Sequence, residues 1–299
     1  MTRRPHLVER AVEALQEDAG RNRHAGARAA IAPGLPAASA EAKPAPAPAP
    51  NPAIVGMAAL EQAGLMPRPR TGARSRLAEE IALIRHQVLR GIPTLPAGDQ
   101  RCARMVMVTS ARPGEGKTFT ALNVAAAIAD GESTPVLLVD IDGRRGSLGE
   151  LLGLAGQPGL RALASAPSIA PASLTRETAV PRLAVMTNED VPGNSVVPPA
   201  ESLAGAVRRL AAAFPGHIIV LDMPPALSTA DAGALAPIVG QVMMVVLAEK
   251  TQRNEVEAAL DVVEACPEIR LLLNRAGLTL NDSFGAHGGY DGYGSPQLP

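Results

Sequence analysis

Residues 111–118 have the residue types and spacing of a loop that binds phosphate groups. An apolar run precedes this loop and a helical pattern follows it, which is the context that such a loop requires. Gly114 and Gly116 let backbone N–H groups approach phosphate oxygens, and Lys117 supplies a cation to the β- and γ-phosphates. Ala111 stands where the usual pattern begins with glycine. The residues expected to bind the phosphates of ATP are Pro113, Gly114, Glu115, Gly116, Lys117, Thr118 and Phe119.

Acidic residues follow two of the other apolar runs in the chain. Asp140 and Asp142 come at the end of the run 136–140, and Asp222 ends the run 217–222. Carboxylate and hydroxyl oxygens are the ligands that a hard divalent cation prefers. We therefore expect Thr118, Asp142 and Asp222 to hold Mg²⁺, with Asp140 and Asp142 facing the γ-phosphate. The alternative for each acid is a turn or helix-capping residue.

The chain has only two tyrosines, Tyr290 and Tyr293, and both lie in a glycine-rich segment near the C-terminus. A structural tyrosine needs a packed ring and a partner for its hydroxyl, which such a segment does not offer. We interpret both as phosphate acceptors, with Asp140 as the base that takes the phenol proton; the alternative is a tail without function. The nine residues from 281 to 290 span about 17 Å, which favours transfer between subunits.

The elements that must position these residues alternate along the chain. Continuous apolar runs predict strands at 105–109, 136–140, 183–187, 217–222, 242–247 and 271–274. Helical patterns occupy 75–89, 121–129, 201–213 and 253–265. This alternation predicts an α/β fold with a mostly parallel sheet and helices on both faces, the P-loop NTPase arrangement of the MinD/ParA type. Ligands of such sheets bind at the carboxyl ends of the strands.

The composition of the chain divides it into four parts. Residues 1–19 contain a short amphipathic helix, and 20–72 form an Ala/Pro-rich flexible linker in which alternating prolines exclude regular structure. Residues 73–280 form the catalytic domain, and 281–299 form the Gly/Tyr tail. The net charge of −1 argues against a nucleic-acid partner. Two cysteines without metal spacing, and no long apolar run, suggest a cytoplasmic chain.

Three motifs together resemble the bacterial tyrosine kinase family of capsule and exopolysaccharide synthesis. They are residues 113–118, the pattern of Asp140, Asp142 and Arg144, and the pattern of Asp222, Pro224 and Pro225. The layout is most similar to the exosortase-associated autokinases. The resemblance implies a Mg²⁺-dependent tyrosine autokinase with Lys117, Asp140, Asp142 and Asp222 as catalytic residues. It also implies a homo-oligomer, held at the inner membrane through an integral-membrane chain-length regulator that activates it.

The chain departs from this family in two places, and two other functions stay open. The family's ring-forming helix carries Glu-x-x-Arg-x-x-Arg, whereas here the matching positions are Glu79, Ala82 and Arg85. The tail also has fewer tyrosines than the family's cluster. One alternative is a MinD/ParA-type positioning ATPase, in which Arg112 would replace the early lysine of the loop. The other is a non-catalytic ATP-binding scaffold of a polysaccharide polymerase complex.

Overall fold

The computed structural model describes residues 54–66, 75–96, 98–99, 101–131, 134–144, 146–191 and 198–276. The predicted N-terminal helix, most of the predicted linker, and the tail with Tyr290 and Tyr293 lie outside these residues. Among the helices of the described part, none is both long enough and apolar enough to cross a bilayer.

The described residues form a seven-stranded sheet with the order β3-β4-β2-β5-β1-β6-β7. All neighbouring strands run parallel except β3, which pairs antiparallel with β4. The six predicted strands are all present, so the predicted parallel sheet is confirmed. The strands are β1 (Cys102–Ser110), β2 (Val136–Asp140), β3 (Arg176–Glu177), β4 (Leu183–Met186), β5 (Ile218–Asp222), β6 (Val239–Leu247) and β7 (Ile269–Asn274).

Helices of the described residues cover both faces of the sheet. One face carries α1, α2 and α3, and the other carries α5 to α8. The helices are α1 (Met57–Gln62), α2 (Arg76–Arg90), α3 (Lys117–Gly131), α4 (Leu148–Leu151), α5 (Leu160–Ser165), α6 (Ala200–Ala213), α7 (Asp231–Leu235) and α8 (Arg253–Val263), with a 3₁₀ turn at Pro171–Leu174. The short elements α4, α5, α7 and β3 were not predicted, because periodicity cannot be read over so few residues.

The central strand β1 shows why the sheet needs helices on both sides. Met105 and Met107 pack into the core under α6 to α8, whereas Val106 and Val108 pack into the core under α1 to α3. Alternate side chains of a strand point to opposite faces, so a strand that is apolar throughout must be covered twice. The alanines of α3 let this helix lie close against the sheet, and Ala121 and Ala125 are fully buried.

The predicted linker is wrong for residues 54–66, because this segment is folded onto the domain. Val55 forms a parallel bridge with Thr178, and Leu60 of α1 is fully buried. The backbone N–H of Met66 donates to Asn123 of α3, whose amide in turn donates to the carbonyl of Gly64. The apolar residues of this segment add to the core, whereas the proline repeat that suggested a linker ends before residue 54.

Candidate functional site

The loop between β1 and α3 has the backbone of a phosphate cradle. Gly114 and Gly116 both adopt positive φ, +82° and +95°, which only glycine adopts at little cost. Ala111 is buried and is not among the residues with positive φ, so the missing first glycine leaves the turn intact. Helix α3 begins at Lys117, and its first N–H groups and dipole favour an anion at this loop.

Lys117 is held at this loop by an acid from the loop that follows β2. Its Nζ lies 2.6 Å from Oδ2 of Asp142, and both side chains are 11% exposed. The other oxygen of Asp142 lies 3.2 Å from Nε of Arg144. The structure therefore brings Lys117 and Asp142, both predicted from the sequence, into direct contact.

Asp222 is the most deeply buried acid of the site. It ends β5 with 0% exposure, and neither carboxylate oxygen makes a hydrogen bond of normal geometry within the described residues. Burial raises the pKa of Asp222 to about 7, while the charge of Lys117 and the hydroxyl of Thr118 oppose that rise, so both groups lie beside it. A buried carboxylate without a partner is costly, and a bound cation would satisfy it.

These groups fit a magnesium ion that comes with a nucleotide rather than a cage made of protein alone. The described residues contain no group of three His, Cys, Asp or Glu side chains that could hold a metal. The Thr118 hydroxyl and Asp222 supply oxygen donors, and phosphate oxygens and water complete the usual shell of Mg²⁺. The orphaned oxygens of Asp222 are the observation that supports this fit.

The carboxylate of Asp140 accepts hydrogen bonds from the segment that follows it. Its residue pairs in register with Asp222 across β2 and β5, and it is 1% exposed. Oδ1 accepts the N–H of Asp142 at 3.0 Å, and Oδ2 accepts the N–H of Gly149 at 2.8 Å. Burial raises its pKa, and the Gly149 bond partly offsets that effect. These bonds match the alternative of a turn residue, and its role as base stays a prediction.

Two residues of the expected phosphate set face away with their side chains. The ring of Phe119 lies close to Gly64, and its carbonyl accepts from Asn123, so only its backbone can serve the loop. The Glu115 side chain is 3% exposed and accepts the N–H of Arg112 at 2.8 Å. Glu115 lies in the loop and Phe119 in the first turn of α3, and neither presents a side chain to a phosphate.

Two hydrogen bonds to the loop come from the turn after β6 and from the end of β7, and the sequence did not reveal them. The Thr251 hydroxyl hydrogen-bonds to Oε1 of Glu115. Nδ2 of Asn274, the last residue of β7, donates to the carbonyl of Glu115 at 2.8 Å. The only sequence signal for either residue was its place after an apolar strand.

Two arginines that bear on the open alternatives lie against other parts of the chain. Nε of Arg112 lies 2.9 Å from Oε1 of Glu255 in the first turn of α8. The guanidinium of Arg85 lies against Gly131 at the end of α3. Arg85, the arginine of the ring motif, thus packs against a helix of its own domain.

No family model matches the chain. It is 29% identical over 202 residues to the tyrosine-protein kinase YwqD of Bacillus subtilis, covering 66% of this chain and 83% of that protein. It is 30% identical over 192 residues to the tyrosine-protein kinase wzc of Salmonella typhimurium, covering 64% of this chain but only 25% of that protein. The chain therefore spans most of the first relative and about a quarter of the second.

Solved structures that are similar to this chain include kinase domains. The kinase domain of VpsO is 25% identical with a TM-score of 0.50, covering 68% of this chain and 100% of that domain. The kinase domain of the Escherichia coli tyrosine kinase ETK is 22% identical with a TM-score of 0.52, covering 71% of this chain and 86% of that chain. The second likeness concerns the fold alone.

Proposed function

We propose that this chain is a member of the bacterial tyrosine kinase family and an ATP-dependent autokinase that phosphorylates Tyr290 and Tyr293. The loop at 113–119 binds the phosphates of MgATP. The phenolic oxygen of a tail tyrosine attacks the γ-phosphorus, a new O–P bond forms, and the bond to the oxygen of ADP breaks. Lys117, Asp142 and Asp222 come together at the carboxyl ends of the strands, and this is the observation that supports the function.

The side chains of the site then have the following tasks. Lys117 neutralises charge that develops on the transferred phosphoryl group, and Asp142 holds its ammonium at the loop. Thr118 and Asp222, with Asp142 as the third predicted ligand, would hold Mg²⁺, which when bound neutralises phosphate charge and orients the terminal phosphoryl group. Asp140 takes the phenol proton, since this carboxylate ends β2 in register with Asp222 of β5 and is the predicted base.

The setting follows from the family. We propose that the kinase regulates exopolysaccharide synthesis and export as a cytoplasmic homo-oligomer. An integral-membrane chain-length regulator would activate it and hold it at the inner membrane. Residues 1–19 and the linker up to residue 53 would lie outside the catalytic domain. The tail would be labelled by a neighbouring subunit, because its short reach favours transfer in trans.

The positioning ATPase is the weaker alternative. Its mechanism needs an early cation of the loop to reach a nucleotide, whereas Arg112 is engaged with Glu255. The scaffold alternative differs from the kinase only in that it transfers no phosphoryl group, so a measurement of phosphoryl transfer must separate the two.

Incubation with ATP labelled in the γ-phosphate distinguishes all three functions. The kinase labels tyrosine, a positioning ATPase releases phosphate, and a scaffold does neither. The doubly substituted Tyr290→Phe/Tyr293→Phe chain should lose the label, and Lys117→Met should reduce it about 100-fold or more. Absence of tyrosine label from the wild-type chain together with its membrane partner would refute the proposal.

A mixing experiment tests transfer between subunits. A Lys117→Met chain keeps the acceptor tyrosines but cannot react, while the Tyr290→Phe/Tyr293→Phe chain keeps the active site but has no acceptors. Label should appear on the Lys117→Met chain once the two are combined. If the mixture stays unlabelled although wild-type protein is labelled, transfer occurs within one chain.

A further inference from the structure

The phosphate loop contains a carboxylate that must be kept away from phosphate. Glu115 lies between the two positive-φ glycines, Gly114 and Gly116, and an anion there would repel an anionic ligand. The chain is folded so that this carboxylate is buried, with one oxygen on the N–H of Arg112 and the other on the Thr251 hydroxyl. The same hydroxyl accepts the N–H of Leu247 at 3.1 Å. Thr251 therefore ties the loop to the end of β6.

A second tie fixes the direction of the backbone. Nδ2 of Asn274 donates to the carbonyl of Glu115 at 2.8 Å and occupies the space that a Cβ on Gly116 would fill. Because a trans peptide is planar, its C=O and N–H point in opposite directions. Holding the Glu115 carbonyl toward β7 therefore turns the N–H of Gly116 to the opposite side, where it is free to bind phosphate.

The ends of the two supporting strands are themselves joined. The backbone N–H of Ala248 donates to the carbonyl of Asn274 at 2.9 Å, so the turn that carries Thr251 is tied to the end of β7. Both residues therefore lie at the ends of β6 and β7, whereas the acids of the site lie at the ends of β2 and β5. The two halves of the sheet thus have different tasks at the loop.

We propose that Thr251 and Asn274 are positioning residues that hold Glu115 away from the nucleotide and aim the Gly116 N–H at its phosphates. They act through Glu115, to which both side chains hydrogen-bond. The proposal rests on the proposed function, because it requires a nucleotide at this loop. It predicts that their loss weakens nucleotide binding more than it weakens the fold.

The test compares matched substitutions in the full chain with fluorescent MgADP as the probe. Thr251→Val removes the hydroxyl at constant shape, Thr251→Ser retains it, and Asn274→Asp removes the donor. Thr178→Val is the matched control, because that buried hydroxyl bonds to the carbonyls of Val180 and Leu183 instead of the loop. Melting temperatures with and without MgADP separate lost binding from lost stability.

We expect Thr251→Val and Asn274→Asp to bind MgADP about tenfold more weakly and to show a smaller MgADP-induced rise in melting temperature. Thr251→Ser should keep most of the wild-type affinity for MgADP. Thr178→Val should have a lower melting temperature but bind MgADP as the wild type does. Affinities of both weakened variants within twofold of the wild type, or a Thr251→Ser chain as weak as Thr251→Val, would overturn the positioning role. A wild-type chain that does not bind MgADP would instead refute the proposed function.

Discussion

Replacing Asp222 with asparagine should make the nucleotide-free protein more stable while it damages the site. Burial raises the pKa of this carboxyl from 3.8 to about 7 in the folded chain. Between these pH values the folded protein keeps a proton that the unfolded chain releases, so the free energy of unfolding falls as pH rises through this window. Above about pH 7 the carboxyl is ionised in the folded chain as well, so the free energy of unfolding falls no further. Asparagine has the same shape and does not titrate.

The size of the effect follows from the two pKa values. At 1.36 kcal/mol for each pH unit, the difference between 3.8 and about 7 corresponds to about 4 kcal/mol at pH 8. Roughly 2 kcal/mol of this should develop between pH 5.5 and pH 7.5. For a domain of this size, that part corresponds to about 4–8 °C in melting temperature.

Thermal unfolding followed by circular dichroism, in EDTA and without nucleotide, measures this difference directly. Asp222→Asn should melt above the wild type at pH 8, and the gap should narrow towards pH 5.5. Asp261→Asn on the exposed side of α8 is the control and should follow the wild type at every pH. A variant that melts below the wild type at pH 8, or a gap that does not change with pH, would refute the reasoning. In a second series, MgADP should raise the melting temperature of the wild type much more than that of Asp222→Asn.

Two further substitutions test the loop and the candidate base. Gly116→Ala should abolish MgADP binding in titration calorimetry, because its φ is +95° and Asn274 fills the Cβ position, whereas Gly114→Ala meets open space and should weaken binding less; equal losses would argue against the Asn274 contact. Asp140→Asn should lower the rate of tyrosine labelling about 100-fold with little change in the KM for ATP. A labelling rate that stays near that of the wild type would exclude Asp140 as the base.

The sequence alone was enough for the local features of the site. Strand β2 was predicted with the bounds that the structure has, Val136–Asp140, because a continuous apolar run followed by polar turn residues is a local signal. The loop at 113–118 and the position of Asp222 at the end of β5 were identified for the same reason. The predicted helix at 75–89 also corresponds to α2, with Ser75 as its N-cap.

Some assignments failed where a segment is too short or its composition misleads. Residues 54–66 follow a proline repeat and were assigned to the linker, yet Leu60 is fully buried. Strand β3 has two residues, both charged, and it forms only because β4 offers an open edge. In both cases the neighbouring surface decides the structure, and the segment's own pattern does not record that surface.

Only the tertiary structure decided which distant residues meet. The order of the strands places Asp140 beside Asp222 and brings Thr251 and Asn274, 136 and 159 residues away, onto Glu115. It also decided that the carboxylate of Asp222 makes no hydrogen bond of normal geometry within the described residues, while Asp140 accepts the N–H groups of Asp142 and Gly149. Residue patterns report local hydrogen bonding and burial, so they locate the end of each strand. The contacts between strand ends depend on sheet order and register, which are fixed when the whole sheet packs against its helices.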